Sequence, residues 1–243
     1  MAVREPQNND WIAAARFPPM TGGSELRKSL EARLRTALAE RGFRRLRTKQ
    51  YFQSGELAEP PLVAQLVVGV DTHRYGTVRM SGVAQVVCPA VDEVFASAPD
   101  DALTRGQWIY RGRLGNRVAT RTFGRLENPA RSEPLEWTAD DEEQGDRALQ
   151  DLLTFVDGPV RTWLDSRSSV ALVRAAVDPG GEDESNGSVV RTASVLDALL
   201  GEPGRGVERL RRYAARPEEK VDSPEQVQAF LRWLHTVQPM RLD

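Results

Sequence analysis

Residues 62–88 read LVAQLVVGVDTHRYGTVRMSGVAQVVC, and the fold follows from how this stretch is read. Leu62, Val63, Leu66, Val67, Val68 and Val70 form one apolar run, the polar Asp71-Thr72-His73-Arg74-Tyr75-Gly76 interrupts it, and Val78, Met80, Val83, Val86 and Val87 resume it. Two β-branched runs separated by turn chemistry predict a β-hairpin. It is apolar enough to form the middle of a sheet, so the rest of the chain can be placed by asking what covers it.

Before the hairpin, Ser24 offers an N-cap to a helix with Leu26, Leu30, Leu34, Ala37 and Leu38 at spacings of three and four, closed by Gly42. Residues 43–52 then read as a first strand in which Phe43, Tyr51 and Phe52 bracket Arg44, Arg45, Arg47 and Lys49, and residues 54–61 as a turn. Residues 1–23 carry Trp11, Ile12 and Phe17 without a period, the pattern of an arm lying on the body.

After the hairpin, Val91, Val94 and Phe95 sit at helical spacing. Trp108, Tyr110 and Leu114 alternate with Ile109, Arg111 and Arg113, Gly115-Asn116 suits a turn, and residues 118–126 read as a returning strand. Beyond residue 127 the period becomes helical. Ala148, Leu149, Leu152, Leu153, Val156, Val160 and Trp163 mark a helix that Gly158-Pro159 must kink or divide. Val170, Leu172, Val173 and Ala176 mark a short one, and residues 179–188, with no apolar side chain, read as a flexible acidic loop. Three helices close the chain: residues 189–200 ended by Gly201, one carrying Val207, Leu210 and Tyr213, and one opened by Ser223-Pro224-Glu225-Gln226, a capping-box signature. The expected class is α+β, a mostly antiparallel sheet of about five strands covered by helices, with a helical C-terminal part. The expected divisions are the arm 1–23, a helix-and-sheet part 24–126 and a helical part 127–243 packed on the sheet as one unit.

Charge divides the chain in the same place. Residues 24–126 hold 17 Lys and Arg against 10 Asp and Glu, while residues 127–243 hold 14 against 23, beneath a net charge of only −2. Arg44, Arg45, Arg47, Lys49, Arg111, Arg113, Arg117, Arg121 and Arg125 fall on the predicted strands, near Tyr51, Phe52, Trp108 and Tyr110, and can share one basic sheet face. Such a face could track a phosphate backbone, bind an acidic protein, or be docked by the chain's own acidic half. A sequence pI near 5.9 argues against nonspecific nucleic-acid binding by the whole molecule.

No motif assigns a reaction or a cofactor. His73 and His235 have no ligand or base partner at useful spacing, and the one cysteine, Cys88, reads as a core residue. Asp140-Asp141-Glu142-Glu143 opens a helix, where carboxylates favour the positive end of the dipole. The glycines of Gly201-Glu202-Pro203-Gly204-Arg205-Gly206 follow no strand and precede no Lys-Ser or Lys-Thr, so they form a turn and not a phosphate loop. The polar N-terminus and the absence of a run of about 18 apolar residues point to a cytoplasmic protein with no membrane partner.

Arg41-Gly42-Phe43-Arg44-Arg45 at a helix end, the two central strands, Val160-Arg161-Thr162-Trp163-Leu164, and an apolar helix with a Leu-Gly turn within residues 193–210 together resemble a bacterial α+β family of unknown function. That resemblance implies a fold and no reaction. The expected role is therefore non-enzymatic: a macromolecule-binding protein of adaptor, regulator or inhibitor type, using the basic sheet face or the C-terminal helices, with another protein as its partner. Its rivals are a nucleic-acid backbone binder using the arginine-rich strands, and a hydrolase or transferase built on scattered carboxylates such as Asp71 or Asp92.

Overall fold

The computed structural model describes residues 22–47, 50–73, 76–102, 117–216 and 223–240. The hairpin forms as read. β3 (Val63–Thr72) and β4 (Val78–Val87) pair antiparallel over their full lengths, from Val63 opposite Val87 to Thr72 opposite Val78. Ala64, Leu66, Val68 and Val70 face the same side as Val86, Ala84 and Met80, and all seven are buried. Strand alternation puts Gln65 and Gln85 on the opposite side, where they are also buried and Gln85 Nε2 donates to Gln65 Oε1 at 2.7 Å. A one-residue slip would put those amides into the apolar side, so the pair pins the register.

Among the described residues six strands make the sheet. The order is β1 (Arg44–Arg45), β2 (Tyr51–Ser54), β3, β4 and β5 (Arg117–Thr122), with β6 (Trp137–Ala139) pairing the far end of β4. Every pairing is antiparallel. The single first strand expected over 43–52 is instead a tight hairpin: Arg47 lies at a bend, and the Leu46 N–H reaches the Tyr51 carbonyl at 2.8 Å. The returning strand stops four residues short of its expected end. Thr122 caps a short helix, α3 (Phe123–Glu127), that sinks Phe123 between Trp137 and Phe155. Gly82 makes room for it, because a Cβ there would fall 2.4 Å from the Phe123 ring. β6 lies in what reads as helical sequence. Its three residues are too few to set a period, and only pairing with β4 makes them a strand.

Helix α1 (Gly22–Glu40) lies over β3 and β4 with Leu26, Leu30, Leu34 and Leu38 buried, and Gly42 ends it at φ +82°. It begins before Ser24, so Ser24 is in the first turn and does not cap. Gly23 sits against the Gly76 carbonyl, where a Cβ would be 2.4 Å away. α2 (Pro89–Ala96) follows β4. α4 (Glu142–Phe155) packs on α1 and passes through a wide π turn at Val156–Val160 into α5 (Arg161–Asp165), the division expected of Gly158-Pro159. α6 (Val170–Val177), α7 (Gly187–Leu199), α8 (Pro203–Ala215) and α9 (Pro224–Leu234) complete the chain. α7 packs against β5 and α8, and the capping box of α9 is present as read.

One apolar core joins the two charge halves, from Leu26 of α1 to Leu234 of α9. Cys88 belongs to it, fully buried, and burial pushes its thiol pKa up. The acidic stretch 179–188 is not a free loop. Its turns lead to Asn186, which caps α7, and Asp183 within it is 2% exposed. Among the described residues no helix is long and apolar enough to cross a membrane.

Candidate basic cleft beside helix α1

The register of the sheet sorts the strand arginines. Arg45, Phe52, Leu66, Ala84 and Arg121 lie directly opposite one another in one row across five strands, and Arg44, Gln53, Gln65, Gln85 and Thr120 form the next row on the other face. Arg45 and Arg121 therefore share a face but stand four strand spacings apart, roughly 19 Å. Between them the row is Phe52, Leu66 and Ala84, all buried core. No continuous basic face exists along it.

The two ends of that row differ in kind. Arg121 is largely buried and is claimed from within the chain: its guanidinium pairs with Glu182 and with Asp183, the latter at 3.3 Å. Arg167, stacked over the Trp163 ring, pairs with the same two carboxylates. Burial raises the Asp183 pKa even though both arginines pull it down. Arg45, by contrast, is exposed and has no ion-pair partner among the described residues. Arg44, Arg47 and Arg125 are exposed as well, Arg44 on the opposite face and Arg125 on α3. Arg117 is half-buried at the register shift where β5 carries one extra residue, Val118, against Val86 and Val87 of β4. Lys49, Arg111 and Arg113, with Trp108, Tyr110 and the arm over residues 1–21, lie outside the described residues.

Arg45 lines a cleft of about 210 Å³ between α1 and the β1–β3 side of the sheet. Helix α1 contributes Arg27, Lys28, Glu31 and Arg35; Leu34, Phe52, Val68 and Val70 line the interior; Asp71 stands at the rim. Four cations face two carboxylates. Arg27 is held by Glu31 at 3.0 Å, and Lys28 by Glu25 at 2.8 Å, both between neighbouring turns of α1. Such exposed pairs are worth at most about 1 kcal/mol, so these cations can be recruited by a ligand. Arg35, like Arg45, is exposed and has no partner among the described residues. The strand pattern could supply only Arg45. Lys28, Glu31, Ala32 and Arg35 recur at spacings of three and four, a polar stripe that was legible in the helix but is masked by its stronger leucine face.

A second cleft, about 640 Å³, lies at the other end of α1 against the π turn. It is larger, and of the two arginines that line it Arg161 is exposed while Arg41 is committed. Arg41 makes two 2.8 Å bonds to Asp157, and Glu40 and Glu56 leave the remaining lining weakly acidic.

Among the described residues no group of three or more His, Cys, Asp or Glu side chains could hold a metal. His73 and His235 are exposed. Asp141 of the acidic run caps α4, accepting from the Gln144 N–H at 2.8 Å, and Gly201 takes φ +82° in the turn before α8. The carboxylates whose pKa values are raised, Asp183 and Asp197, are raised by burial and each lies against two arginines.

No family model matches the chain. No characterised protein or solved structure matches it either.

Proposed function

We propose that the protein is a non-enzymatic binding protein whose α1 cleft holds an acidic segment of a protein partner. The observation that carries this reading is the pair Arg35 and Arg45, two exposed arginines with no ion partner among the described residues, on opposite walls of one cleft lined by Phe52, Val68 and Val70. Arginine suits this task because its planar fork binds carboxylates in a fixed geometry and sheds water more readily than an ammonium group. Rim charges of this kind steer and select a partner more than they tighten it, so modest affinity that falls with salt is expected.

A fluorescent glutamate-rich peptide and a single-stranded oligonucleotide of matched charge, each titrated against the full chain, test the reading. The peptide should bind, and Arg45→Glu should weaken it by about tenfold. Tighter binding of the oligonucleotide, or binding indifferent to Arg45→Glu, would refute it.

A further inference from the structure

We infer that residues 179–185 form a removable strap over a second acidic-ligand site, built on Arg121, Arg167 and Trp163, and that an acidic segment of a partner protein with adjacent carboxylates takes the strap's place. This site is separate from the α1 cleft and does not depend on it.

In its contacts the strap is an internal ligand. Glu182 bridges two guanidinium groups, Oε1 to Arg121 of β5 and Oε2 to Arg167 just after α5. Asp183 spans the same two, 3.3 Å from Arg121 and 3.6 Å from Arg167. Glu184 pairs with Arg216 at the end of α8. Beneath Arg167 the Trp163 ring, 5.0 Å away, is a platform that does not belong to the strap. The arginine forks are half used. Nε and Nη2 share one edge of a guanidinium; in both arginines Nη2 carries these contacts, and among the described residues neither Nε has a hydrogen-bond partner. A segment free to choose its own angle can fill both donors of an edge.

The strap is built to lift. Asp178, held by Arg205 and Arg209, anchors one end, and Asn186, the cap of α7, the other. Between them Pro179 is the only apolar side chain, and the backbone hydrogen bonds stay within residues 176–186. Removing one arginine strands Asp183 in the interior, but lifting the whole strap returns carboxylates and guanidinium groups together to water and recovers the desolvation of each. Opening therefore costs far less than the number of ion pairs suggests. Gly180, at φ +80° with open space around it, supplies a hinge. Gly181 is the latch, since a Cβ there would lie 2.3 Å from the Ala176 carbonyl. Tethered at both ends, the closed strap competes with a partner at an effective concentration on the order of millimolar.

A fluorescent peptide of residues 178–187, DPGGEDESNG, tests the site against the full chain in an Arg45→Glu background, which weakens the α1 cleft. Gly181→Ala lifts the strap without changing a charge, and Glu182→Gln with Asp183→Asn removes its grip. In each, protease should cut the strap faster and the peptide should bind at least about tenfold more tightly. Adding Arg121→Gln with Arg167→Gln should abolish the gain; Arg121→Lys with Arg167→Lys, which keeps charge without the fork, should reduce it and serves if the first pair disturbs folding. A strap that is cut faster while peptide affinity stays within about twofold of the parent would overturn the inference. So would a strap that neither change loosens, or a gain that survives the loss of both arginines. A larger gain for a single-stranded oligonucleotide of matched charge would overturn the acidic-protein partner and assign the covered surface to a phosphate backbone. Binding at the α1 cleft is read through Arg45 and binding here through Arg121 and Arg167, so the two readings fail separately.

Discussion

Arginines in the α6–α8 region and arginines at the α1–β1 end lead different lives. Among the helices, Asp197 is completely buried and lies between Arg174, 2.7 Å away, and the equally buried Arg209. Arg209 also reaches Asp178 at 3.0 Å, Arg205 reaches it at 2.8 Å, and Arg174 reaches Glu202 at 3.0 Å. The guanidinium groups of Arg174, Arg205 and Arg209 are part of the framework. At the α1–β1 end Arg35 and Arg45 touch no carboxylate among the described residues. The difference teaches that net charge is a poor guide to available charge. The helical part, acidic by count, commits Arg167, Arg174 and Arg209 internally, and one arginine of the sheet, Arg121, is captured by that same acidic part.

The contrast can be broken by mutation. Arg209→Leu strands Asp197 with one partner in the core, and a loss of about 3–5 kcal/mol should appear as a lower midpoint in urea unfolding. Arg121→Ala leaves Asp183 to Arg167 alone; limited proteolysis should then cut within 179–186 well before the rest, with a global cost of about 1–3 kcal/mol. A result within error of wild type would mean that the acidic turn holds its place without the sheet. Double replacement Arg35→Ala with Arg45→Ala should move stability by no more than about 0.5 kcal/mol, since no described residue forms an ion pair with either side chain. A larger loss would place the cleft arginines in the framework too.

Acid sharpens the contrast further. Burial would raise the Asp178 pKa, but hydrogen bonds from Arg205 and Arg209 outweigh it and hold it below its ordinary value of 3.8. A lowered folded pKa means stability present above the ordinary value and lost as pH falls through the folded one. Asp183 and Asp197 slope the other way: raised in the fold, they cost stability as pH climbs from 3.8 to their folded values. Asp178→Asn should therefore flatten the acid limb below about pH 4 without altering the rise contributed by the other two, a comparison that urea midpoints across the range can read. This is the smallest of the expected effects.

The sheet was legible because β3 and β4 announce themselves twice, in β-branched runs and in the polar turn between them. α9 was legible because its capping box is written in consecutive residues. β6 was not, because three residues become a strand only by lying beside Met80 and Val78. The acidic stretch 179–188 misled for a related reason. Composition predicts solvation, and nothing local reveals that Arg121, some sixty residues earlier, and Arg167 wait for Glu182 and Asp183. Among the described residues the strand arginines divide between faces: adjacent residues of a strand alternate, so Arg44 and Arg45 cannot serve one surface, and only register with four other strands shows where each falls. Of the proposed residues that the structure describes, Arg45 alone lines the cleft, while Arg35 comes from a helix read only for its apolar face.

Cys88 gives the molecule a built-in reporter. A thiol enclosed in the core and disfavoured as thiolate is closed to alkylating reagents while the chain stays folded. With one cysteine in the sequence, every labelled molecule must have opened around the junction of β4 and α2, so the rate of mass gain times those openings directly, without a dye or an engineered site.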